Sequence, residues 1–477
     1  MPDAPDAASA TRLPAEDCTA RRIALAFVAY GLFAILFLAF NLPPFQNPDE
    51  LGHFLRASQI ADGGLTGRRF SLPDAGGQVT VTAGGKVDPA AWDAANVFDQ
   101  IPFHPETPVT TEALATDIAW TSTRTMIGFP GTAMYPPFFY APSAVAIAAG
   151  RAAGATVIQT LMASRLLTGL AALAVGAVAI ACAGASAIWI FAVLTLPMSL
   201  SLIASSSQDA LMLSFSALAG GLVARSLPGG RRADTSRLVW IAVALGLVGM
   251  ARPPFGALAL LPLALPGVAW RTRIVTASAV AACGLIWSAI AAATATTNFG
   301  VSVAGSDPAA QSAFLLSHPL FVPHLLRRTM AVQWPGLVLS FIGVLGWLDT
   351  TLPDDYYSAV KWMLPMAAIT AALGTRRGRA GWSSRGLIAA AVVISAAGVL
   401  AIEYLTWTKP GAEVVEGLQG RYFLPLALAG AGVVPALGDT RLARLHRPLV
   451  VALVAFPLVS MAVTMRAVVL RYYLGVS

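Results

Sequence analysis

The feature that most constrains this chain is a succession of apolar runs, many close to 20 residues long, set apart by short arginine-rich segments. Within a bilayer no water satisfies free backbone groups, so such a run crosses as a helix or tucks in beside other helices. The first extends from about Ile23 to Asn41. Others lie at about Pro137 to Ala149, Ile158 to Ala181, Ser186 to Leu202, Ala210 to Val223, Leu238 to Met250, Phe255 to Ala269 and Ile274 to Thr294. The series continues at Val332 to Gly346, Ala359 to Leu373, Leu387 to Tyr404, Phe423 to Leu437 and Leu449 to Val463. Only 12% of the 477 residues are charged and the mean hydropathy is +0.69, whereas soluble domains carry about 25% charge. The sequence predicts an all-α polytopic membrane protein of about 11–13 spans.

The net charge of +7 does not point to nucleic acid. Its arginines fall in clusters at Arg225 to Arg237, Arg271 to Arg273, Arg376 to Arg385 and Arg441 to Arg447, which is the pattern of cytoplasmic turns and not of one basic face. Arg21 and Arg22 likewise put residues 1–22 in the cytoplasm as a tail before a retained signal anchor, residues 23–42. Residues 43–134, rich in Gly, Pro, Asp and Thr, then form an extracytoplasmic loop, and residues 135–477 form a multi-span membrane domain. Within the loop, Leu51 to Ile60 has helical spacing, and Gln78 to Thr82 followed by Gly84 and Gly85 reads as one arm of a β-hairpin. Cys18, Cys182 and Cys283 are too few and too scattered for a disulfide framework and read as packing residues.

Counting crossings exposes two conflicts. Five apolar runs precede the Arg225 cluster, although an even number is needed to return to the cytoplasm, so one is re-entrant or two are miscut. The same mismatch recurs between Arg273 and Arg376. There the run from Val332 reads as a partial insertion beside an interfacial helix near His318 to Arg328.

The most informative polar stretch is Pro48-Asp49-Glu50-Leu51-Gly52-His53-Phe54-Leu55-Arg56, just beyond the first span. A helix starting at Asp49, favoured by Asn47 near the cap and Pro48 in the first turn, puts Asp49, His53 and Arg56 on one face. Asp49 is then a candidate general base, with His53 and Arg56 orienting it or binding an anionic group. The same residues equally suit a stabilised helix N-terminus at an interface. Further polar groups interrupt the apolar runs: Gln208 and Asp209 after three serines, Arg252 before two prolines, and Gln419-Gly420-Arg421-Tyr422, where Arg421 could clamp a phosphate. Tyr135 and the Trp347-Leu348-Asp349 segment complete the set. Interfacial anchoring is the plainer alternative for each, yet all fall on the loop side of the membrane.

Together, Pro48-Asp49-Glu50 with His53-Phe54 and Arg56, Tyr135-Pro136-Pro137, Ser207 with Asp209-Ala210, Arg252-Pro253-Pro254, Gly346-Trp347-Leu348-Asp349 and Gln419-Gly420-Arg421-Tyr422 resemble a bacterial family. It comprises multi-pass membrane proteins of unknown function and is similar to the GT-C glycosyltransferases. The resemblance implies a GT-C-like helical bundle in the bacterial cytoplasmic membrane, with its active site on the extracytoplasmic side. It implies transfer of a sugar, with inversion, from a polyprenyl-phosphate-linked donor to an envelope glycan, lipid or protein acceptor. Asp49 matches the catalytic acid of that superfamily, and Arg421 or Arg252 would receive the departing phosphate. Glu50 could replace Asp49 as base, or Asp49, Glu50 and His53 could hold a divalent cation. Arg56, Tyr135, Gln208, Asp209, Trp347, Asp349, Gln419 and Tyr422 are the substrate-binding candidates. Two other functions compete with this one: a transporter or flippase for a lipid-linked saccharide, and a lipid-linked glycan polymerase or ligase. A transporter would carry coupling groups near the bilayer midplane and show related halves, neither of which is visible here.

Overall fold

The computed structural model describes residues 15–73, 79–227, 234–297, 305–375, 382–438 and 441–476. Gln78 and parts of the Arg225 to Arg237 and Arg376 to Arg385 clusters lie outside the described residues. The chain is a multi-pass helical membrane protein with a small sheet in its first loop.

The first helix, Ala15–Asn41, has no proline, and Asn41 closes its last turn by donating to the Phe37 carbonyl at 2.9 Å. One face, including Leu25, Phe33 and Phe40, is exposed as a lipid-facing surface must be, while Phe27, Ala34, Ile35 and Leu38 are buried. The buried face packs on Val157–Cys182, a helix opened by a capping box between Thr156 and Gln159. Among the described residues five helices are long and apolar enough to cross a membrane: Cys18–Asn41, Val157–Cys182, Trp270–Thr294, Ser383–Thr406 and Arg441–Tyr473. Gly184–Leu194 and Pro197–Ile203, which pass the same test together and are bent by 81° at their junction, form either a broken span or a re-entrant loop.

The other passages are shorter or differently built, which is why apolar runs outnumber long helices. Gln208–Ser226 is buried on nearly every side. A helix that never meets lipid has no need of a uniformly apolar surface, and this one carries Ser214 and Ser216. Gly220 allows the close packing, since a Cβ there would stand 2.0 Å from the Leu428 carbonyl oxygen. Thr235–Ala251 leads to Arg252, and a 3₁₀ helix over Pro253–Ala264 returns toward the Arg271 turn, where Arg273 donates to the Leu263 and Val268 carbonyls.

These contacts define two ends of the bundle, one carrying the loop and the other the arginine clusters. With Gly184–Leu194 and Pro197–Ile203 counted as one broken span, they also remove the crossing conflicts. The run Pro137 to Ala149 does not cross. Its helix, Ala141–Ala152, is tied at both ends to the loop helix Glu50–Ala61: the Tyr140 hydroxyl meets His53 Nδ1 at 2.7 Å, and Arg151 donates to Ser58 at 2.6 Å and Asp62 at 2.9 Å. The second conflict disappears because one continuous helix, Phe321–Ile342, lies along the loop end. Its Thr329 accepts from the Val415 amide at 3.0 Å and its Ser340 from the Gly420 amide at 2.8 Å, so the interfacial and partly inserted pieces expected from the sequence are one element.

In the loop, strands Arg68–Pro73, Val79–Val87 and Thr125–Gly128 pair antiparallel in sequence order. The strand anticipated up to Thr82 thus continues to Val87. Arg69 donates to the carbonyls of Ala292 and Ala293 in the last turn of Trp270–Thr294 and of Thr296 just beyond it, and so pins the sheet to the end of that helix. Of the cysteines read as packing residues, Cys18 and Cys283 are exposed.

Candidate functional site

The expected helix start at Asp49 is displaced by one residue. Glu50 begins the helix, and Asp49 sits ahead of it in left-handed backbone, φ 60°, with no side-chain cap to the helix. Asp tolerates that conformation better than most side chains. The turn sends two consecutive carboxylates in different directions.

Glu50 goes inward. Both its oxygens accept from Arg165, at 2.8 and 2.6 Å, and both side chains are fully buried. Arg165 also donates to the carbonyls of Ala39, in the last turn of the first helix, and of Leu42 and Pro43 just beyond it. The Ser206 amide donates to Glu50 at 3.2 Å, and Asn47 bridges Glu50 and Ser201. This set binds the loop, the first two long helices and the Ser205–Ser207 turn into one joint.

Asp49 goes outward and is 55% exposed, while its partner Arg421 is 4% exposed and donates to it at 2.7 Å. Arg421 lies 3.8 Å from Asp209, which pairs with Arg252 at 3.2 Å. The four groups alternate in sign, Asp49, Arg421, Asp209, Arg252, with Asp49 as the open terminus. Tyr422 lies beneath both guanidiniums, its ring centre 4.6 Å from Arg252 and 5.4 Å from Arg421. Gln419 accepts from Arg421 Nε and fixes the plane of its fork. Burial on its own would push the Asp49 carboxyl up. The charge and hydrogen bond of Arg421 outweigh it, with a further contribution from Arg252, and hold Asp49 below its ordinary value.

His53 is buried beside this row, stacked on Tyr135 at 6.0 Å and bonded to Tyr140. Burial draws its pKa down against the pull of Asp209 and Asp49, so the ring is neutral near pH 7. Tyr135 shares the neighbourhood of Arg252 and Asp209, and burial pushes its hydroxyl up to about 12.

Other candidates stand apart. Arg56 is fully buried and donates to the carbonyls of Gly64, Leu65 and Tyr135 and to Gln59, so its donors are taken up in stapling the loop. Trp347 donates to the Phe45 carbonyl at 3.0 Å, and Asp349 binds the Phe103 amide and Arg471, bracing the loop against the last helix. Gln208 is buried, and its amide has no partner among the described residues. The one-face arrangement of Asp49, His53 and Arg56 is therefore not formed. Sequence reasoning passed over Arg165, Tyr140 and Glu403, whose nearest charges include Arg252 and Arg421. Each lies inside an apolar run, and a lone charge there is the signal that finds Arg165 and Glu403. Among the described residues no three of His, Cys, Asp and Glu gather to hold a metal ion. The turn of Glu50 onto Arg165 breaks up the cation set Asp49, Glu50 and His53.

These features define a polytopic membrane protein with a row of alternating charges where an ordered loop meets the helix ends. The chain belongs to the family described as predicted membrane protein (DUF2142), whose model matches residues 32–429 and so includes the whole row. No curated protein and no solved structure matches the chain.

Proposed function

We propose that this protein is a membrane glycosyltransferase that takes a sugar from a polyprenyl-phosphate donor on the extracytoplasmic face of the bacterial cytoplasmic membrane. The observation that carries this reading is Asp49, an open carboxylate on a buried arginine that is coupled through Asp209 to a second, partly buried arginine. A phosphate needs desolvated, fork-shaped donors, and Arg421 and Arg252 provide them. The acceptor needs a carboxylate that water and a hydroxyl can reach, which Asp49 is.

In the step proposed, the acceptor hydroxyl oxygen attacks the anomeric carbon as the bond from that carbon to the phosphate oxygen breaks, with inversion. Its proton passes to Asp49, and the polyprenyl phosphate leaves with its charge held by Arg421 and Arg252. Asp49 paired with Arg421 is a weak base. A donor phosphate that engages Arg421 loosens that pair and adds a like charge nearby, and both effects raise the proton affinity of Asp49. Donor binding thus prepares the base. The acceptor is an envelope glycan, lipid or protein, approached from the loop.

The test is release of polyprenyl phosphate by the reconstituted protein from a panel of polyprenyl-phosphate monosaccharides. Asp49→Asn is expected to slow release at least about 100-fold, the usual scale of a lost general base. Release by Asp49→Asn at the wild-type rate from every accepted donor would overturn the assignment.

A further inference from the structure

At the other end of the bundle the first helix, the last helix and the end of Asp354–Gly374 leave a groove of about 970 Å³. Along the first helix it runs from Cys18 to Tyr30 and along the last from Ala443 to Ala455. Each stretch is about 18 Å long at 1.5 Å per residue. Half of a hydrocarbon core is about 15 Å, so the groove is as deep as one leaflet and ends near the middle of both helices.

Its chemistry changes along that depth. Arg22 and Arg447 line it near the end that carries the arginine clusters, and both are exposed. Deeper, the walls include Val450, Val454 and Ala455, with Tyr30 at the inner limit. No Asp or Glu is among the described residues that line it. Two cations over a leaflet-deep apolar channel complement a molecule with an anionic head and a hydrocarbon tail.

We propose that this groove is a binding site for an anionic glycerophospholipid of the cytoplasmic leaflet. The phosphate lies between Arg22 and Arg447, and one acyl chain runs down the groove toward Tyr30. The Arg421 row is at the opposite end of the bundle, so a carrier lipid whose head sat in this groove could not present its phosphate there. The occupant is therefore a resident lipid and not the donor, and the assignment stands whether or not sugar transfer is the reaction.

Native mass spectrometry of the full chain in detergent tests this, with phosphatidylglycerol, phosphatidylcholine of the same chains, and a polyprenyl phosphate as probes. Phosphatidylglycerol is expected to bind in preference to phosphatidylcholine. The Arg22→Gln/Arg447→Gln variant should bind phosphatidylglycerol about 30-fold more weakly, about fivefold for each basic side chain at a membrane surface. Val450→Trp/Val454→Trp, which fills the channel and leaves both charges, should also lose the lipid. Arg271→Gln, a basic-end arginine outside the groove, should bind like the wild type. Equal binding of phosphatidylcholine, wild-type affinity in the double arginine variant, or arginine-dependent displacement of phosphatidylglycerol by polyprenyl phosphate at equal concentration would each overturn the proposal.

Discussion

Asp49 and Glu50 are neighbours in the chain and the same kind of acid, yet they belong to different parts of the molecule. Glu50 is saturated: two bonds from Arg165, one from the Ser206 amide, one from Asn47, and no exposure. Asp49 has one cationic partner and more than half of its surface open. The difference shows how burial separates a structural carboxylate from an available one. A fully desolvated charge persists only where its whole hydrogen-bonding capacity is met, which leaves nothing over for a ligand. A carboxylate held at one corner keeps lone pairs free for an incoming proton.

Arg165 is where the two carboxylates differ most. Arg165→Ala leaves Glu50 buried and uncompensated, and the expected loss is about 3–5 kcal/mol of stability, read as a lower thermal midpoint and reduced folded yield in detergent. If Arg165→Ala melted with the wild type, the structural half of the contrast would be wrong. Asp49→Asn is the counterpart. It should lower the thermal midpoint by less than Arg165→Ala does, because Asn keeps a hydrogen-bond acceptor for Arg421 and Asp209 still faces that guanidinium. Its turnover of an accepted donor should fall at least about 100-fold.

A smaller effect follows from His53. Its pKa in the folded protein is lowered from 6.5, so as pH falls below 6.5 the unfolded chain takes up a proton that the folded chain still refuses. The contribution of neutral His53 is complete above 6.5 and is lost as pH falls toward the lowered value. Thermal midpoints measured from about pH 7.5 down to about pH 5 should therefore drop more steeply in the wild type than in His53→Gln. An unchanged slope in His53→Gln would show that the ring does not titrate as its burial requires. The smallest change is expected at Asp62, which pairs with Arg124 at 2.8 Å and Arg151 at 2.9 Å on the loop surface. Asp62→Asn should cost about 0.2–1 kcal/mol and spare turnover. A loss there as large as that at Arg165 would erase the distinction between open and buried pairs.

Much of the charged row was legible before any coordinates. Asp49, Asp209, Arg252 and Arg421 each stand out as charged residues at the edge of an apolar run, where their cost in lipid demands a purpose. Arg56 and Asp349 stand out by the same criterion, yet both are tied into loop bracing. Sequence pattern identifies a polar group that needs a partner and is silent on whether that partner is protein or ligand.

That this chain lives in a membrane, that a loop of some 90 residues follows its first helix, and which end of the bundle carries the arginine clusters can all be read from the order of its residues. Those properties follow from the local costs of moving apolar, polar and charged groups between water and lipid, which sum along the chain. Only the tertiary structure decided that Pro137 to Ala149 stays at the loop end, that Phe321–Ile342 is one helix, and that Asp49 meets Arg421 while Glu50 meets Arg165. Each of those outcomes joins residues far apart in the chain or turns on a single backbone angle, and the local cost of placing one residue contains neither.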